Sequence, residues 1–120
     1  MKIETSISQW CEGKLDTASL LSAFEQALTT LDGHRQALTE TESSLSDREL
    51  AHCEELRSYC WRLLDDLEVS LLEAGETARV GQRRDFISVG DQIGRLGFQL
   101  NQALLELNHQ VLLVRGPTEI

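Results

Sequence analysis

Proline is almost missing from this chain. Of 120 residues only Pro117 is one, close to the C-terminus. No ring that fixes φ and removes a backbone donor interrupts the residues before it. Aromatic residues are scarce at 5% and β-branched residues are few, so the 41% hydrophobic content rests mainly on leucine. That composition disfavours strands and suits helices. No apolar run approaches the roughly 18 residues that a membrane span needs. The opening residues, MKIETSISQW, lack the apolar stretch of a signal peptide. The cysteines number three (Cys11, Cys53 and Cys60), which argues for free thiols in a reducing compartment. These absences lead to the expectation of a soluble, cytoplasmic protein.

Positive charge is also in short supply. The net charge is -9 and the isoelectric point about 4.7. Such a balance repels nucleic acid and anionic membrane surfaces, so neither is an expected partner. The imbalance is local. Residues 1–78 hold 6 basic and 16 acidic side chains, whereas residues 79–120 hold 5 basic and 4 acidic ones. The one basic cluster, Arg79, Arg83 and Arg84, reads as solvated turn charges, with contact to an acidic partner or a phosphate as the alternative.

What remains is helical periodicity. Ile3, Ile7 and Trp10 share a face of a short helix over about 6–12, with Gly13 to end it. Asp16 or Thr17 can cap a helix over about 17–42, whose apolar phase runs from Leu20 through Leu31 to Leu38 and survives Gly33. The run TETESS that follows is a poor helix interior. Ser46 to Glu49, SDRE, is a capping box. It opens a helix over about 47–79 with apolar steps of three and four, and Cys53 and Cys60 lie on its stripe as core thiols. A turn at 79–83 leads to a last helix over about 84–114, stopped by Arg115, Gly116 and Pro117. The apolar phase nearly continues across that turn. The alternative is one helix from 47 to 114, which at 1.5 Å per residue would be about 100 Å long. The expected fold is all-α: a single domain over 1–120, an antiparallel three-helix bundle with long helices and a short N-terminal helix, which self-associates.

The last helix carries the clearest anomaly. Gly90, Gly94 and Gly97 fall within its first turns. Each interior glycine weakens a helix by roughly 1 kcal/mol relative to alanine. One apolar stripe runs Phe86, Val89, Ile93, Leu96, Leu100, Ala103, Leu107, Val111 and Val114. A second lies round to one side: Ile87, Phe98, Leu105 and Leu112. The glycines fall between the stripes or on the second one, never on the polar face. Together they make an apolar-plus-small face of roughly 200°, wider than the ≳ 100° stripe an outer helix of a bundle presents. A face without Cβ atoms lets another backbone approach closely. The residues expected to meet a partner are therefore Ile87, Gly90, Gly94, Gly97, Phe98, Leu105 and Leu112. The N-terminal segment and a second chain compete to cover them.

Chemistry is less visible. Two Glu-x-x-His pairs, Glu49–His52 and Glu106–His109, have the i, i+3 spacing of carboxylate metal bundles. Glu106 and His109 lie on the polar face of the last helix, and a fourth ligand-bearing helix is missing. GDQIGRLG lacks the lysine of a phosphate loop and has no strand before it. No nucleophile motif or dinucleotide loop occurs. The reading is a non-enzymatic interaction protein without a cofactor: an adaptor, assembly factor or small acidic chaperone whose partner is another protein or a second copy of itself. The alternative is a metal or small-ligand bundle using Glu49, His52, Glu106 and His109.

Overall fold

The computed structural model describes residues 3–80 and 86–115. Within them the chain is all-helical, with five helices packed against one another and no strand among the described residues. These are α1 (Ile3–Cys11), α2 (Thr17–Ser43), α3 (Asp47–His52), α4 (Glu54–Arg79) and α5 (Phe86–Arg115). The body measures 55 × 25 × 19 Å with a radius of gyration of 17.2 Å. A compact chain of this length would have about 14 Å, so the helices lie side by side along one axis.

α1 starts at Ile3, three residues before the expected boundary. Its first turn is held by tertiary contact, since Glu4 lies against Gly94 of α5. Gly13 ends it as expected, at φ 78°, a left-handed geometry that other side chains resist. The Gly13 amide donates to the Trp10 carbonyl at 3.1 Å and the Lys14 amide to the Gln9 carbonyl at 2.8 Å. That pair of bonds is the Schellman stop.

Asp16 is the cap of α2: its Oδ1 accepts from the Ser19 amide at 2.8 Å. The hydrogen bonds from Ser19 hold this carboxyl below its ordinary pKa. α2 then runs unbroken through Gly33 and on through most of TETESS to Ser43. Hydroxyl groups there bond back to the helix. Thr39 Oγ1 donates to the Arg35 carbonyl at 3.0 Å and Thr41 Oγ1 to the Ala37 carbonyl at 2.9 Å. Glu42 adds a tertiary anchor, accepting from Trp61 Nε1 at 2.8 Å and pairing with Arg57 at 3.2 Å on α4.

The helix expected over 47–79 is two. Ser46 opens α3 with a complete capping box: the Glu49 amide donates to Ser46 Oγ at 3.3 Å, and the Ser46 amide donates to the Glu49 carboxylate at 3.4 Å. At Cys53 the backbone leaves helical geometry, at φ -99° and ψ 6°, and its amide is shared between the carbonyls of Glu49 and Leu50 at 3.2 Å each. The Arg57 amide still donates to the Cys53 carbonyl at 2.9 Å, so α4 follows directly. α3 packs on α5.

α4 packs on both α2 and α5. Its stripe of Cys60, Leu63, Leu64, Leu67, Leu71, Ala74 and Ala78 is buried. Contacts with α2 pair Phe24 with Gly75, Arg35 with Glu68 and Glu42 with Arg57, so residue numbers run in opposite senses along the two helices. Since α4 and α5 lie against each other, they cannot be halves of one straight helix. Of the turn expected at 79–83, Arg79 is the last residue of α4 and Val80 its cap; residues 81–83, with Arg84, lie outside the described residues, as does the stop at Gly116 and Pro117. No described helix is long and apolar enough to cross a membrane.

Ser46→Ala is expected to lower the unfolding free energy by about 1 kcal/mol. The check is urea denaturation, with a lower midpoint at an unchanged slope. Burial also pushes the Cys60 thiol from 9.0 up to about 11. The unfolded chain therefore loses this proton first, and stability should fall as pH rises through the window from 9.0 to about 11. The melting temperature of the wild type should drop more across that window than that of Cys60→Ala. Equal drops would contradict the assignment.

Candidate functional site

The glycines of α5 divide into two groups. A Cβ on Gly90 would lie 3.1 Å from Ile7 Cγ2, and one on Gly94 would lie 2.7 Å from Glu4 Cγ. Both are therefore a shelf for α1, and the first of the two competing covers is the one in place there. Further along, Trp10 meets Phe86 edge-on, with ring centroids 4.9 Å apart and planes at 62°. Trp10 Nε1 donates to Thr17 Oγ1 at 3.1 Å, which satisfies the one polar atom of a fully buried indole. The pairs 4–94, 7–90 and 10–86 show that α1 runs opposite to α5.

At Gly97 a Cβ would meet no side chain and no other element within 4 Å among the described residues. α1 does not reach it. Beyond it the second stripe is bare: Phe98 is 66% exposed, Leu105 65% and Leu112 65%. The side chain of Ile87 lies outside the described residues. Thus, of the residues expected to meet a partner, Gly90 and Gly94 face the chain's own first helix, and Gly97, Phe98, Leu105 and Leu112 face outward.

Beside the bare stripe lies a groove. α2 and α5 pack on α4 and barely touch each other, so a trough runs between them. Two cavities of about 850 Å³ and about 520 Å³ occupy it and meet at His34 and Asn101. Leu31, Leu67, Leu71 and Leu100 lie along the first and Leu38 and Leu107 along the second. Along α2, Ala23, Ala27, Thr30, His34, Ala37 and Thr41 form one column of the wall, small apart from the histidine, with Ser19, Ser22 and Gln26 beside it. The α5 wall carries Gly97, Phe98, Asn101, Leu104, Leu105 and Asn108. Among the described residues, Glu4, at the end closed by α1, is the only lysine, arginine, aspartate or glutamate in either lining. Away from that end the channel is largely apolar.

The α2 wall is what periodicity missed. Its signal was present in the spacing 23, 27, 30, 34, 37 and 41, one column of small residues beside the leucine stripe. Small residues pass as weakly apolar or weakly polar, and neither label marks a wall.

Among the described residues, no three histidine, cysteine, aspartate or glutamate side chains come together to hold a metal. His52, Glu106 and His109 are exposed, and Glu49 serves the capping box. Arg79 pairs with its neighbour Glu76 at 2.6 Å. Cys53 and Cys60 are buried at 1% and 0% exposure, and no disulfide links any of the three cysteines. No family model, curated protein or solved structure matches this chain.

Gly90→Leu should drive Ile7 off its shelf and release α1. In a Trp61→Phe background the remaining indole, Trp10, should then shift its emission to the red. Gly33→Ala, at an exposed helical site with nothing within 4 Å, should leave the emission unchanged and add up to about 1 kcal/mol of stability. Unchanged emission in Gly90→Leu would show that the shelf does not hold α1.

Proposed function

We propose that this chain is a non-enzymatic protein-interaction module that receives a helix in the groove between α2 and α5. In this reading α2, α4 and α5 form an antiparallel three-helix bundle, and α1 fills one end of a fourth helix position. The rest of that position is free for a partner. An adaptor, an assembly factor or a small acidic chaperone would each use such a site.

The observation that carries the reading is the bare seam of Phe98, Leu105 and Leu112, the first two of which line a groove whose charge lies at its α1 end, on Glu4. Residues 95–115 of α5 lie beyond α1 and extend about 30 Å at 1.5 Å per residue. An amphipathic partner helix lays its apolar face into such a groove, and the seam's seven-residue spacing keeps its three side chains on one side of α5 to meet it. The side chains offer contact area and few charges, which favours shape and apolar burial over chemistry on a small substrate.

A photo-crosslinking amino acid at Asn101 should give adducts with a polypeptide, either another protein in cells or the same chain at high concentration. The same group at Asp66, on the exposed side of α4, should give none. Asn101 yielding no polypeptide adduct under either condition would defeat the reading.

A further inference from the structure

We infer that the occupant of the groove is α5 of a second copy, paired antiparallel about Leu105. The inference rests on the interaction-module reading and names its partner. Three independent features lead to it.

The first is charge. Each copy carries a net charge of -9, and two copies repel over most of their surfaces. α5 is the exception: over residues 95–115 it carries Arg95, Glu106 and Arg115, without the acidic excess of the rest of the chain. Among the described residues, the groove beside it holds a single Asp, Glu, Lys or Arg, Glu4, at its closed end. Two copies can therefore meet through α5 without bringing their acidic faces together.

The second is the symmetry of the seam. Phe98 and Leu112 each lie seven residues from Leu105. In an antiparallel pair with its two-fold axis at Leu105, Phe98 faces the partner subunit's Leu112, and Leu105 faces the partner subunit's Leu105. A two-fold contact requires such self-complementarity. The seven-residue spacing keeps the seam on one side of each helix as they wind about each other.

The third is length. α1 covers α5 as far as Gly94, and α5 ends at Arg115. The uncovered run, 95–115, has Leu105 at its midpoint. An antiparallel partner centred there ends where α1 begins, so the two occupants share the fourth position without overlap. α1 already runs opposite to α5, and the partner helix takes the same sense. Its carbonyl end then meets the amide end of α1, a favourable alignment of helix dipoles.

The expected solution mass is twice the 13.5 kDa of one chain. Leu105→Glu should halve it while keeping the helical circular dichroism, because Leu105 is 65% exposed and outside the core. Leu113→Glu, equally exposed but on another face, should remain dimeric. For the register, cysteine is placed in a Cys11→Ser background. Leu105→Cys should crosslink to itself under mild oxidation. Phe98→Cys should crosslink when mixed with Leu112→Cys and not alone. Self-crosslinking of Phe98→Cys alone would mean parallel pairing and would overturn the inference. So would a wild-type mass of one chain. In that case an Asn101 photo-adduct with a different polypeptide would leave the interaction module standing, and the absence of any adduct would remove both.

Discussion

The apolar stripe of α4 is what α2 and α5 have in common: each packs on it, and they barely lean on one another. Burying seven side chains between Cys60 and Ala78 against two neighbours fixes the long axis of the body. Leucine side chains buried in this way contribute roughly 1.5–3 kcal/mol each, which outweighs the surface ion pairs along the same helices. Those pairs, Arg35 with Asp65 and Glu68, set register more than they supply stability. Because α4 is shared, α2 and α5 diverge on its far side. The groove follows from two helices meeting a third and missing each other. α1 closes one end and leaves the rest.

Much of the helical layout was legible from residues 1–80. Local chemistry announces itself there: Asp16 caps as its position implies, Gly13 takes the left-handed geometry that suits it, and the Ser46–Glu49 box is complete. The break at Cys53 was not legible, because the apolar steps of three and four continue through it. A single residue leaving helical geometry needs no change in the apolar pattern. The extension of α2 through TETES was hidden differently. Threonine and serine are poor helix residues in isolation, but back-bonded hydroxyls and the Glu42 anchor to α4 outweigh that preference.

The wide face of α5 was visible as an excess, while its division into two parts was not. A helical wheel places residues around an axis and says nothing about how far along it a neighbour extends. Gly90 and Gly97 look alike on a wheel, yet one sits 3.1 Å from Ile7 and the other has nothing within 4 Å. The difference is the position of α1 along α5: its first turn, with Glu4, lies at Gly94, and the helix runs from there toward Phe86, away from Gly97. The opposing wall on α2 was harder still, since a column of alanine and threonine carries almost no hydrophobic signal.

The brevity of α1 has a dynamic consequence. A nine-residue helix falls short of the ~12–15 residues at which isolated helices become even marginal in water. Its amides are thus protected from hydrogen exchange only while it stays docked through Ile7 and Trp10. Local opening of α1 would leave α2 to α5 in place, making it a separate cooperative unit of lower stability. Its link to α2, through Glu12, Gly13 and Lys14, is exposed. Trypsin cutting after Lys14 would then report how often that unit opens, as a clock on the fourth position of the fold.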